Sequence, residues 1–250
     1  MRSHRPKLLH QIGGRPLLAW GLDAARRAGC GRILVVVGHR SEEVRRAFAD
    51  ARDLVWVEQR EQLGTGHALL QAEPHLSEAA LLLVLSGDVP LVAPETLARL
   101  TAEAERGWGA MAVAELADPA ALGRVIDDGQ GGLARIVEAR DATPEELALR
   151  TVNAGLYALP APEIFGFLRR LEPINAQGEL YLTDAVTAAA RAGRRVALVE
   201  LTDPHEALGV NDRLELAMVH RLLVDRKLRA LAVERSAQRI VSVWAERRQK

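Results

Sequence analysis

Apolar positions along the chain fall into two alternating patterns, a helical spacing of three and four residues and short unbroken Val/Leu/Ile runs. The runs are the length and composition of strands buried on both faces. Helices are predicted at Pro16–Ala28, Glu42–Ala49, Gly66–Ala72, Pro94–Arg106, Pro162–Arg170 and Thr183–Ala192, with one long helix from Asn211 to about Val233. Proline opens the first of these and Gly29 stops it. Strands are predicted at "RILVVVG", "LVWVE", "LLLVLSGDVP", "AMAVAEL", "VNAGLYAL" and "RVALVEL". "RVIDDGQGGLARIVEA" reads as a hairpin turned by Gly129, Gly131 and Gly132. Strand and helix alternate, so the expected fold is α/β: a doubly wound, mostly parallel sheet, with a small β-rich lobe around residues 117 to 180.

Composition narrows the function. The 33 basic and 33 acidic residues cancel, so no global field draws the chain to nucleic acid or to a membrane surface. No signal peptide or bilayer-length apolar run is present, and the expected location is the cytoplasm. Cys30 is the only cysteine, which excludes an internal disulfide and a cysteine-built metal site. Only Lys7, Lys227 and Lys250 are lysines among the basic residues. Lysine is a compact point charge suited to phosphate, which makes Lys7, in a proline turn, a mild candidate.

Open α/β sheets bind ligands at the carboxyl ends of their strands, and three such ends are unusual here. In "EQREQLGTGHALL", Gly64, Thr65 and Gly66 allow backbone to approach a ligand, and the Gln59 and Gln62 amides carry both donor and acceptor for a base edge. The bland alternative is a helix cap, with His67 an ordinary helix-start histidine. "LSGDVPLV" sets Ser86, Gly87 and Asp88 just after a buried strand, where a carboxylate can share Mg²⁺ with substrate phosphates; a turn cap explains it equally. Asn211 occupies an N-cap slot, and capping accounts for it unless a metal lies opposite. "NAQGELYLTDAV" mixes polar and aromatic groups suited to a sugar, or to a solvated loop. Glu138 and Asn153 are unremarkable singly.

Together these stretches resemble bacterial N-acetylglucosamine-1-phosphate uridyltransferases. The matches run in order through "PKLLHQIGGRPLL", "VVVGH", "EQLGTGHA", "SGDVPL", "GRVI", "IVEARDAT", "VNAGLYAL", "NAQGELYLTD" and "GVNDRLEL", roughly residues 5 to 216. The resemblance implies a nucleotide-diphospho-sugar transferase fold and a transfer between UTP and N-acetylglucosamine 1-phosphate that releases pyrophosphate. It implies that Lys7 and Asp88 are catalytic, and that Lys7, Gln59, Gly64, Thr65, Ser86, Gly87 and Asp88 meet the nucleotide. Gly123, Glu138, Asn153, Tyr181 and Thr183 would hold the sugar phosphate, and Asp88 and Asn211 the Mg²⁺.

The chain departs from that pattern at both ends. The family opens with a buried strand and a loop of the form L-A-A-G-x-G-T-R-M, and Met1 aligns with the last residue of that loop. The first central strand is therefore expected to be missing, with "RILVVV" and "LLLVLS" flanking an unfilled position. The domain is expected over 1–234, followed by a basic tail at 235–250 that does not resemble the family. No left-handed β-helix acetyltransferase domain, and no trimer built by it, is predicted. Two alternatives stand beside the enzyme: a degenerate sugar-nucleotide binder without turnover, and a transferase for another sugar 1-phosphate.

Overall fold

In the computed structural model the described residues are 5–38, 40–76 and 81–247, with side chains described up to residue 233. After a single 3₁₀ turn at Lys7–Leu9 come a two-residue ribbon, β1 (Gln11–Ile12) with β2 (Arg15–Pro16), and helix α1 (Leu17–Arg27). Strand β3 (Ile33–Val37), helix α2 (Ser41–Ala47), strand β4 (Leu54–Glu58), helix α3 (Thr65–Ala72), strand β5 (Leu81–Leu85) and helix α4 (Pro94–Arg106) follow. Strand β6 (Gly109–Glu115) leads to the hairpin of β7 (Arg124–Asp127) and β8 (Leu133–Val137), closed by the Asp128 amide donating to Gly132 O at 2.9 Å. A short helix, α5 (Pro144–Leu147), carries a capping box between Thr143 and Glu146. Strand β9 (Thr151–Pro160), helices α6 (Ala161–Leu168) and α7 (Leu182–Arg191), strand β10 (Val196–Glu200) and helix α8 (Arg213–Arg247) complete the order. The predicted helices shift at their ends by one to a few residues, and α8 runs on past Val233, so the basic segment from 235 begins inside a helix.

The large sheet has the order β10-β6-β9-β7-β8, with β5 following β7 along the same edge of β9, opposite β6. Strand β6 runs parallel to β10, and β9 lies antiparallel to both β5 and β6, so β5, β6 and β10 share one direction and the sheet is mixed. The expectation of mostly parallel pairing holds for β6·β10 and for β3·β4. Strand β9 departs from it because it returns from the small lobe and enters the sheet in reverse. One face of the sheet is covered by α4 through Leu97, Leu100 and Ala104, and the other by α6 and α7 through Ile164, Phe165, Leu182 and Val186.

The runs "RILVVV" and "LLLVLS" belong to separate sheets. Among the described residues β3 pairs only with β4, and β5 only with β9. Helix α8 is anchored by Val219 and Leu223 in a cluster with Ile12, Leu17, Leu91 and Val210. The Arg226 guanidinium pins it further, donating to Leu91 O and to Asp203 Oδ2, each at 2.6 Å.

Candidate functional site

The acidic turn after β5 is met by the Lys7 turn, to which the resemblance assigns nucleotide contact, and by the approach to α8 with Asn211, to which it assigns Mg²⁺. Lys7 Nζ forms a short ion pair with Asp88 Oδ2 and donates to Asn211 Oδ1 at 2.7 Å. The Val210 amide donates to Asp88 O at 3.0 Å, which ties the turn to the approach of α8. Asn211 does not cap that helix. Asp212 does: its Oδ1 accepts from the Glu215 amide at 2.8 Å, and Glu215 Oε2 accepts in return from the Asp212 and Asn211 amides. The N-cap account of Asn211 is thereby corrected by one residue, and its side-chain oxygen points instead to the Lys7–Asp88 pair. The ion-pair side chains are 35 % and 24 % exposed, open enough for water and for ligands to compete. Among the described residues no group of three or more His, Cys, Asp or Glu converges on a metal position. Asp88 and Asn211 nevertheless set one carboxylate and one amide oxygen around a single cation, a hard-oxygen donor set that fits Mg²⁺, which keeps few protein ligands.

The loop after β4 is locked to the loop before α7, more than a hundred residues away. The Leu180 amide donates to Leu63 O and the Gly66 amide to Leu180 O, both at 2.8 Å. Gly64 sits at φ +102°, and a Cβ there would lie 2.5 Å from Leu180 O, so only glycine fits. Thr65 Oγ1 accepts from the Leu182 amide at 3.0 Å, capping α7, whose own N-cap Tyr181 supplies no side-chain bond. The two stretches that best carry the family resemblance are thus one hydrogen-bonded unit. Gln59 closes it: Nε2 donates to Gly64 O at 3.1 Å and meets His67 Nδ1 at 3.0 Å. A carbonyl only accepts, so the Gln59 NH₂ is fixed toward Gly64 and its Oε1 is the amide's acceptor on the other side. His67 Nδ1 accepts this bond, and its Nε2 lies 3.1 Å from Gln71 Nε2 on the next turn of α3. A depression of about 370 Å³ lined by Gly38, Ser41, Glu58, Gln59 and Arg60 opens at the ends of β3 and β4.

The residues assigned to the sugar gather around Glu138. Thr183 Oγ1 donates to Glu138 Oε1 at 2.9 Å, and the Asn153 amide donates to Gly123 O at 2.9 Å. Tyr181 is 9 % exposed and Thr183 5 %. Burial pushes the Glu138 carboxyl upward from its ordinary range, the Thr183 hydroxyl opposes this, and Asp184 and Asp141 add to it. Asn153 Oδ1 accepts from the Gly155 amide at 2.9 Å, and Gly155, at φ +70°, lies where β9 bulges against β6 between the Met111–Tyr157 and Val113–Asn153 pairs. A Cβ on Gly155 would sit 3.4 Å from Ser86 Oγ, so the group around Glu138 and Asn153 meets the acidic turn there. Gly87 packs against Leu8, 3.1 Å from its would-be Cβ, a close approach of the acidic turn to the Lys7 turn.

Several contributors escaped the sequence reading. Tyr157 is buried beside Asn153 and Glu138; burial, then the Glu138 charge, push its phenol upward, while its bond to Asn153 opposes them. Its spacing of four from Asn153 on one strand was the available signal. Asn175 knits the loop before α7, accepting from the Glu179 amide at 3.1 Å and donating to Glu179 O at 2.6 Å, and Asp141 Oδ1 accepts from the Ala176 amide at 2.9 Å.

The chain matches the MobA-like NTP transferase domain over residues 1–245. It belongs to that family. As a member, it is 44 % identical over 234 residues to the protein described as bifunctional protein GlmU of Nitrosococcus oceani, covering 94 % of this chain and 51 % of that one. It is 46 % identical over 231 residues to the GlmU of Chromobacterium violaceum, covering 92 % and 50 %. This NTP transferase chain therefore spans about half the length of the curated relatives it matches. Among solved structures, UDP-glucose pyrophosphorylase complexed with UDP-glucose superposes with a TM-score of 0.69 at 20 % identity, covering 88 % of this chain and 91 % of that one. The apo form gives 0.71 at 18 %, covering 89 % and 91 %. These two share the fold. Among the described residues no helix is long and apolar enough to cross a membrane.

Proposed function

We propose that the chain is a uridylyltransferase that joins UTP and N-acetylglucosamine 1-phosphate, releasing pyrophosphate and forming UDP-N-acetylglucosamine. The observation that carries this reading is the convergence of Lys7, Asp88 and Asn211, from three distant parts of the chain, on one corner beside the Ser86–Gly155 contact. Phosphoryl transfer asks a protein chiefly for positioning and for charge opposite the phosphates. Lys7 supplies a fixed cation. Asp88 and Asn211 would hold Mg²⁺, which when bound neutralises phosphate charge and aligns the leaving pyrophosphate. The bond formed joins the sugar phosphate oxygen to the α-phosphorus of UTP, and the bond broken is that between the α-phosphorus and the bridging oxygen of pyrophosphate. The Gln59 acceptor matches the imide N–H of uracil, which cytosine lacks at that position. Glu138, Asn153 and Thr183 offer the donors and acceptors that sugar hydroxyls and an acetamido group need, with Tyr181 covering an apolar face.

The test is pyrophosphate release from UTP with N-acetylglucosamine 1-phosphate against glucose 1-phosphate, in the presence of Mg²⁺. A preference of at least tenfold in kcat/KM for the acetamido sugar is expected. Equal rates favour a transferase for another sugar phosphate, and nucleotide binding without release favours a binder that does not turn over.

A further inference from the structure

Helix α8 has 35 residues, roughly 50 Å of helix at 1.5 Å per residue, and it carries two apolar faces. One, with Val219 and Leu223, is buried against the body. The opposite face presents Leu214, Met218, Arg221, Asp225, Leu228 and Ala232, spaced by four, three, four, three and four residues, the repeat of a helix-pairing seam. Leu214 is 70 % exposed, Met218 54 % and Leu228 59 %, so three long apolar side chains face solvent along this line. Arg221 and Asp225, at its middle, are exposed, and neither forms an ion pair among the described residues.

We infer that this face pairs with the same face of a second copy of the chain, the two α8 helices running antiparallel about a twofold axis near Leu223. The charges decide the occupant and the direction. In an antiparallel pair centred there, Arg221 of each copy meets Asp225 of the other, Met218 meets Leu228, and Leu214 meets the small Ala232. One stripe thereby complements itself in both charge and size, as an isologous interface requires. A parallel pair would set Arg221 against Arg221 and Asp225 against Asp225. The inference is independent of the transferase reading, because none of these residues lies in the site.

Sedimentation equilibrium on the full chain, from micromolar to sub-millimolar concentration, tests it with two charge reversals. The unaltered chain should approach a dimer as concentration rises. Arg221→Asp and Asp225→Arg should each be monomeric, because each sets like charges at both crossings. An equimolar mixture of the two should dimerise again, since both crossings then pair opposite charges, and so should the double variant. Met218→Glu, which leaves the charge pairs in place, should also be monomeric. Circular dichroism confirms that each variant keeps its helices, which is expected at exposed positions. A chain that stays monomeric throughout, a dimer indifferent to either reversal, or a mixture that fails to recover would overturn the inference.

Discussion

Strands β5 and β6 are both apolar, yet they are supported very differently. Strand β6, "GAMAVAE", is buried at its first six positions because it has β9 and β10 on either side and helices on both faces. Strand β5, "LLLVL", has the more hydrophobic sequence, but only Leu82 is buried. It has one neighbour among the described residues, and so does β3. The proposed nucleotide side, with Asp88 after β5 and Gln59 after β4, stands on these edge strands and a single 3₁₀ turn. The proposed sugar side stands on β8, β9 and α7, where Thr183 and Thr187 bond Glu138 and the Ile136 amide. Apolar sequence states how much surface a strand can bury, and its neighbours decide how much it does.

The largest expected effect separates chemistry from stability on the nucleotide side. Asp88→Ala should lower Mg²⁺-dependent turnover by about 10³-fold, roughly 4 kcal/mol, since it removes the charged ligand of the proposed metal site, at the corner where the proposed reaction would set the phosphates. Its thermal midpoint should shift by no more than about 4 °C, because a water-accessible ion pair contributes at most about 1 kcal/mol and each kcal/mol moves a domain this size by about 2–4 °C. Activity within a fewfold of the parent would remove Asp88 from the proposed metal site.

Core truncation then tests the packing contrast itself. Leu156→Ala, at a fully buried position of β9, should lose about 3–5 kcal/mol in urea unfolding. Leu83→Ala, half-buried on β5, should lose about 1–2 kcal/mol. Equal losses would mean that β5 is covered in solution as fully as β9.

Much of this was legible in the sequence because periodicity reports burial and motif order reports chain path. The hairpin, the acidic turn and the α/β alternation all follow from local pattern and turn chemistry. What local pattern does not carry is pairing between distant segments. Nothing within "LGTGHA" states that Thr65 caps α7, a helix that starts 117 residues later. The shift of the α8 cap from Asn211 to Asp212 was within reach, since Glu215 stands three residues after Asp212, as a capping box requires. The reversal of β9 was hidden because antiparallel and parallel buried strands share one composition when both faces are covered.

On the sugar side, Thr183→Val should cost stability and affinity together. It removes the hydroxyl that donates to a half-buried carboxylate, leaving that group to lose about 1–3 kcal/mol of compensation, or about 3–10 °C in the thermal midpoint. The KM for the sugar phosphate should rise about tenfold, one factor of 1.4 kcal/mol, with the KM for UTP little changed. A change confined to UTP would detach Thr183 from the sugar side.

The smallest effect is a slope. Glu138 is raised above its ordinary value of 4.5 in the folded chain, first by burial, so the folded state holds its proton to higher pH than the unfolded state does. Where the folded state binds more protons, stability falls as pH rises. The contribution is therefore intact below about pH 4 and is lost as pH climbs through the raised value, when an ionised carboxylate must be kept beside Asp184 and Asp141. Glu138→Gln keeps an oxygen to accept from Thr183 and removes the charge. Asp184, which burial also raises, remains in both proteins, so that burial contribution is common to them and only its repulsion with Glu138 is lost in the variant. The thermal midpoint of Glu138→Gln minus that of the parent should be near zero at pH 4 and grow by a few degrees toward pH 7. A difference that is flat across the range, or that favours the parent at pH 7, would mean that the Thr183 bond outweighs burial at Glu138 and that the sugar side is more open to water than its packing implies.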